Sequence, residues 1–201
     1  MLKILHTTDL HFNKEWFQWI ESQQDNFDIF CISGDLLEER KEETLLEQIS
    51  YITQWIKGFK KPLFICSGNH DIDEFENEDW FSKIDSDNYY CDNTKGTISD
   101  IKIGCCGYLD SNYLDFYDCD VLVTHLPPAK TDTSIHFKTK EDWGDNDLTR
   151  VIKNKLISPK IILSGHMHHP LQTTAKISNT TIYNCGVDKT KKIPNHHSIC
   201  L

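Results

Sequence analysis

Five short groups of residues carry the side chains that could do chemistry: Asp9-Leu10-His11, Gly34-Asp35, Gly68-Asn69-His70-Asp71, His125, and Gly165-His166-Met167-His168. Their functional atoms are carboxylate and amide oxygens and imidazole nitrogens. A mixed set of this kind suits manganese, iron or zinc better than calcium, which prefers oxygen alone. It contains no thiol, which argues against a structural zinc site. Two divalent ions about 3.5–4 Å apart would meet the two needs of phosphoester hydrolysis, charge stabilisation and an activated water.

Taken singly, each group has a plainer reading. Asp9 could cap the turn that follows it, and Gly-Asp is a common turn pair. Gly68-Asn69-His70-Asp71 could be an Asx-type turn with an exposed histidine. His125 could bond to backbone at a strand end, and His166 and His168 could be surface residues in a loop before Pro170. Position separates the readings, because every group directly follows a short apolar run.

The elements that must hold these residues read as follows. Leu2–Thr7, Asp28–Ser33 and Pro62–Ser67 have the pattern of buried strands. Between them lie two helical patterns, Lys14–Gln24 with Trp16, Phe17 and Ile20 on one side, and Glu42–Phe59 with Leu45, Ile49, Ile52 and Ile56 at helical spacing. A strand–helix–strand–helix–strand series predicts a parallel sheet with right-handed crossovers. Ligands bind at the carboxyl ends of strands in such sheets, so the first three groups should converge on one edge. Further on, Thr97–Cys106 reads as a strand pair or bent strand, Val121–Thr124 and Lys160–Leu163 as buried strands, and Asp145–Leu156 as a helix capped by its acidic start. From Gln172 onward, short alternating segments suggest antiparallel strands. The α/β fold that accommodates all of this has two packed mixed sheets flanked by helices.

The chain of 201 residues suits one domain, residues 1–201, with 38% hydrophobic and 26% charged residues, values that exclude a disordered polymer. No apolar run approaches the roughly 20 residues of a membrane span. The start turns polar at Thr7-Thr8-Asp9, unlike a secretory signal, so a cytoplasmic protein is expected. Eight cysteines, none in a Cys-x-x-Cys pair and most inside apolar runs, read as reduced structural thiols. The net charge is −10 and the arginines are Arg40 and Arg150 alone, which disfavours a dedicated binder of long nucleic acid. Asp71, Asp73, Glu74, Glu76, Glu78 and Asp79 form an acidic run, read as a solvated segment leading into a helix.

In this order the five groups resemble the calcineurin-like metallophosphoesterases, whose pattern is Asp-x-His, Gly-Asp, Gly-Asn-His-Asp/Glu, a single His, and Gly-His-x-His. The resemblance spans Asp9 to about Gly186, and no block departs from it. It implies a four-layer α/β/β/α sandwich and two divalent metal ions, manganese first, with iron, zinc or nickel as alternatives. Asp9, His11 and His168 would hold one ion, and Asn69, His125 and His166 the other, with Asp35 bridging. A bridging hydroxide would attack phosphorus in line with the leaving oxygen. His70, not a ligand in this scheme, would protonate the leaving group or stabilise the transition state. Glu38 stands three residues past Asp35, where relatives often carry an Asp that orients this histidine; it is a second catalytic candidate, with solvated charge the equal alternative. Asn184-Cys185-Gly186 resembles the family's late Asn-x-Gly turn at the site wall, and Pro127-Pro128 would set the loop over the site.

The protein serine/threonine phosphatase branch is disfavoured, since Arg40 falls one place late and no arginine precedes Gly68. The double-strand-break repair nucleases share the look of the opening Lys3–His11 segment, but this chain lacks room for their DNA-capping domain and is acidic. Small stand-alone phosphodiesterases fit best, with a small phosphodiester or nucleotide-like substrate. The alternatives are a DNA nuclease of the repair type and a non-enzymatic scaffold on the same fold, the latter disfavoured because no ligand position is lost. Oligomeric state is left open.

Overall fold

The computed structural model describes residues 2–72, 80–109 and 112–201. The first third of the chain alternates strand and helix: β1 (Lys3–Thr7), α1 (Lys14–Ser22), β2 (Ile29–Ser33), α2 (Leu45–Gly58) and β3 (Leu63–Cys66). There follow β4 (Tyr89–Tyr90), β5 (Thr94–Ile98), β6 (Ile101–Cys106), β7 (Val121–Thr124), α3 (Asn146–Lys153), β8 (Ile161–Ser164), β9 (Thr174–Ile177), β10 (Thr180–Asn184) and β11 (His197–Cys200). One sheet has the order β11-β1-β2-β3-β4 and the other β5-β6-β7-β8-β10-β9. β1, β2 and β3 run parallel, as do β6, β7, β8 and β10.

Side-chain alternation along these strands builds three cores. Ile4, Ile29, Cys31, Phe64 and Cys66 point from the first sheet toward Ile103, Cys105, Val121, Val123 and Leu163 of the second. The intervening residues Leu5, Phe30, Ile32, Leu63 and Ile65 face Trp16, Phe17 and Ile20 of α1 and Ile52 and Ile56 of α2. Leu122, Ile162 and Ile182 face Leu148, Val151 and Ile152 of α3. The strands read as continuous apolar runs because both faces are buried. The result is the expected α/β sandwich of two mixed sheets flanked by helices.

Several boundaries differ from the sequence reading for identifiable reasons. α1 ends at Ser22, two residues short of Gln24, where Gln23 caps it through its backbone N–H. α2 starts at Leu45, not Glu42, because Thr44 and Glu47 form a reciprocal capping box. α3 stops at Lys153, short of Leu156, where Lys155 turns to φ 56°. The strand pair near 97–106 starts earlier, at Thr94, and reverses through Ser99 and Asp100 at φ 46° and 68°, the left-handed pair a tight hairpin needs. In the C-terminal region β9 and β10 are antiparallel as expected, but β10 also lies parallel to β8, and β11 returns to the first sheet beside β1. Seven cysteines are buried, whereas Cys200 is exposed on β11. Asp71 is buried, not solvated; residues 73–79 of the acidic run lie outside the described residues. No helix among the described residues is long and apolar enough to cross a membrane.

Candidate metal centre

Every strand that ends in one of the five motif groups delivers it to the same edge. β1 leads to Asp9 and His11, β2 to Asp35, β3 to Asn69 and His70, β7 to His125, and β8 to His166 and His168. Beyond the strand ends the loops stay paired. Asp9 N–H donates to Gly34 O (3.0 Å), His11 N–H to Asp35 O (2.9 Å), and Gly165 N–H to His125 O (2.9 Å). Tight turns are required to aim side chains from these loops into one point. Asp9, His11, Asp35 and His166 all take left-handed backbone (φ 54°, 42°, 54° and 64°). Such backbone costs a non-glycine residue about 1 kcal/mol or more, and it concentrates where surrounding structure fixes a functional geometry. Gly34, at φ 87°, has no room for a side chain, since a Cβ there would sit 2.6 Å from His125 Nδ1.

The side chains gather carboxylate and amide oxygens and imidazole nitrogens at one point. Asp9, His11, Asp35 and His168 each present an oxygen or nitrogen atom, all within 4.8 Å of one another. His11 Nε2 and His168 Nε2 are 3.1 Å apart, and His168 Nε2 is 3.1 Å from Asp9 Oδ1. Beside them His125 Nδ1 donates to the Ser33 carbonyl (2.7 Å), which leaves the neutral ring's Nε2 as an acceptor. That Nε2 faces Asn69 Oδ1 at 3.1 Å, and His166 Nδ1 lies 3.0 Å from the same oxygen and 3.2 Å from His125 Nε2. Asp35 Oδ2 is 3.5 Å from His125 Nε2, while its Oδ1 accepts from His70 N–H (2.9 Å). Where two acceptors meet, as His125 Nε2 and Asn69 Oδ1 do in the neutral ring, they repel each other; a cation between them makes the same arrangement attractive. The residues present therefore fit divalent metal ions on donor chemistry alone.

The electrostatics of the cluster point the same way. Burial pushes Asp35 up to about 8, and the neighbouring Asp9 charge adds to the shift. Burial works against ionising Asp9 as well, but the His168 hydrogen bond and the imidazoles of His125 and His168 hold its carboxyl well below the usual range. Burial lowers His11 and His166 to about 4, so at neutral pH both rings keep a free nitrogen lone pair. Burial opposes protonation of His168 too, yet the hydrogen bond and charge of Asp9 raise it. Without a cation, burial and the crowding of two carboxylates thus favour a proton on Asp35, which a divalent ion bound there would displace.

The model of the family described as calcineurin-like phosphoesterase matches residues 2–170. The chain belongs to the calcineurin-like phosphoesterase family. Among solved structures, protein TT1561 of Thermus thermophilus superposes with a TM-score of 0.67 at 11% identity over 98% of both chains. A protein described as a novel archaeal phosphodiesterase superposes with a TM-score of 0.53 at 15% identity over 100% of both chains. These likenesses are of fold. No curated protein matches the chain.

In this family member all seven expected ligand residues lie at one edge, and His70 stands beside them, its ring 5.0 Å from that of His11. Glu38 lies nearer to His11 than its sequence position implies. Its Oε2 is 3.5 Å from His11 Nδ1 and 3.4 Å from Lys189 Nζ, with an atom of His70 inside the same 4.8 Å group. Asn184 at the expected late turn donates from Nδ2 to the carbonyls of Gly165 (2.8 Å), Thr133 (3.2 Å) and Met167 (3.2 Å), and so holds the Gly-His-x-His loop.

Three supports were not found by sequence reasoning. Buried Asp71 ties two motif loops together, its Oδ1 accepting from Leu36 N–H (2.7 Å) and Leu37 N–H (3.0 Å) and its Oδ2 from Gly68 N–H (2.8 Å). Its signal was its place directly after Gly-Asn-His, masked by the acidic residues that follow. Gln48, fully buried on α2, accepts from Glu38 N–H and donates to Glu38 O and Glu43 O, which fixes the backbone under Glu38. Trp143 lines a cleft of about 260 Å³ over the centre, together with Asp35, Asn69, His70, His166 and His168. Neither Gln48 nor Trp143 lies in a motif, so only the three-dimensional structure brings them to the site.

Proposed function

We propose that this protein is a metal-dependent phosphodiesterase that hydrolyses a small phosphodiester, with its centre built for two divalent ions. The observation that carries the reading is the convergence of acceptor atoms in two adjoining groups, Asp9, His11 and His168 on one side and Asn69, His125 and His166 on the other, with Asp35 between them. Bound there, two divalent ions would neutralise phosphoryl oxygens and supply a nucleophilic water at neutral pH, and manganese is the first ion to test.

The chain's own residues do the rest. Ser33 O fixes the His125 ring through Nδ1 and leaves Nε2 for the centre. His70 has a backbone anchored on Asp35 and a half-buried ring at the cleft wall. It would give a proton to the departing oxygen. Glu38, beside His11 Nδ1, orients that ring, with His70 in reach of the same carboxylate. The cleft is open and small, which suits a compact substrate, and the net charge of −10 disfavours long polyanions. Buried free thiols are in keeping with a reducing, cytoplasmic setting.

Hydrolysis of bis(p-nitrophenyl) phosphate and p-nitrophenyl phosphate, after chelator stripping and with Mn²⁺ restored, tests the reading. The diester should be cleaved faster and only with metal. No cleavage of either under any divalent ion, together with no bound metal by elemental analysis, would refute it.

A further inference from the structure

Resting on that reading, the cleft suggests what the substrate carries next to its phosphate. Trp143 is 52% exposed, yet it is not a stray surface residue. It shares the cleft wall with Asp35, Asn69 and His70, and its ring centroid is 5.8 Å from that of His166. A phosphate held at the acceptor cluster would bring its nearest substituent across this ring.

The segment that presents Trp143 is firmly built. It leaves β7 through Pro127 and Pro128 and returns to α3, closed at its base by Ala129 N–H to Asp145 O (2.9 Å) and Asp145 N–H to Pro127 O (2.8 Å). Trp143 N–H itself donates to Ser134 O (3.0 Å), and His136 N–H donates to Glu141 O (2.8 Å). The same segment is pinned to the motif loop by Phe137 N–H to His169 O (3.0 Å) and Leu171 N–H to Ile135 O (2.7 Å). Two more rings, His136 and His169, line the same cleft. Their centroids are 6.0 Å apart, and His136 Nδ1 is held by Thr139 N–H. An exposed indole on a hydrogen-bonded loop and two imidazoles beside the candidate metal centre offer flat ring faces to whatever is joined to the phosphate. A planar aromatic group gains from such faces by stacking.

We infer that Trp143, flanked by His136 and His169, is a stacking platform for a nucleobase, so that the substrates are phosphodiesters of nucleosides. The platform is a specificity device and takes no part in bond cleavage.

Equilibrium binding of AMP and of ribose 5-phosphate to the Mn²⁺-supplemented protein tests this, by calorimetry or tryptophan fluorescence. The two probes share a ribose phosphate and differ at C1′, where one carries adenine and the other a hydroxyl. AMP should bind about tenfold or more tightly than ribose 5-phosphate. Trp143→Ala should bring AMP to the level of ribose 5-phosphate, and Trp143→Phe should keep most of the preference. Equal binding of the two probes to the wild type, a preference unchanged in Trp143→Ala, or no AMP binding at millimolar concentration overturns the inference. Because binding is read without turnover, diester hydrolysis with no base preference sinks the platform alone. A base preference without hydrolysis sinks the phosphodiesterase reading alone.

Discussion

At the scale of the single residue, Glu38 divides two accounts. Sequence position places it where a carboxylate would orient His70; geometry places its Oε2 3.5 Å from His11 Nδ1. Among the described residues His11 Nδ1 has no hydrogen-bond partner, and the Glu38 carboxylate at 3.5 Å is the group that would set its tautomer in the metal-bound state. Glu38→Gln should therefore weaken Mn²⁺ binding roughly tenfold, with the circular dichroism spectrum unchanged. Titration calorimetry checks it. Unaltered Mn²⁺ affinity with a displaced pH–kcat profile would assign Glu38 to His70 instead. The motif groups were legible through their order and their place after apolar strands, since each alone has a plainer reading as a turn or strand end. Glu38's partner was not, since three residues of chain spacing cannot say which of two neighbouring rings a carboxylate meets.

At the scale of the element, the site depends on how loops are tied to one another. Asp71 is the clearest tie, since its two oxygens accept three backbone N–H groups from the loops after β2 and β3. Asp71→Asn would turn an amide N–H₂ toward one of those donors. Leaving a buried donor without an acceptor costs about 1–3 kcal/mol, so the variant should melt at lower temperature. Its Leu36, Leu37 and Gly68 amides should exchange faster with deuterium. Amide protection equal to the wild type would show that the loops hold without this carboxylate.

Strand and helix existence was legible across the same region because each strand is a short apolar run and each helix repeats at helical spacing. Ends were less so. Thr44 and Asn154 terminate helices through local hydrogen bonds that the apolar pattern does not encode. β4, two residues long, carries no periodicity to read, and the return of β11 to β1 is a long-range choice made by packing.

At the scale of the whole molecule, the strands of the first sheet also bury polar groups. His6 on β1 is fully buried, its Nε2 against Ser33 Oγ (2.9 Å) and its ring stacked on that of His197 of β11 at 6.0 Å. Burial first, and the His197 ring second, hold His6 well below its ordinary value of 6.5. The unfolded chain takes up this proton as pH falls through 6.5, whereas the folded chain takes it up only much lower. Between those limits stability rises with pH, by up to about 1.4 kcal/mol per pH unit for one such group. The contribution is complete above pH 6.5 and is lost progressively as the solution becomes more acidic. Urea unfolding at pH 7.5, 6 and 5 should show the decline, and His6→Gln should flatten it by about one proton. A variant as acid-sensitive as the wild type would exclude His6 as the source. This feature was invisible in sequence, where His6 fits no motif and its register with His197 depends on the closing strand.

Two adjoining groups of acceptor atoms underlie the whole functional reading, and the most direct test is to count metal. Protein equilibrated with Mn²⁺ and dialysed free of excess ion should retain two manganese ions per chain by elemental analysis. A chain that retains none would contradict the metal centre, and one that retains a single ion would contradict its division into two sites bridged by Asp35.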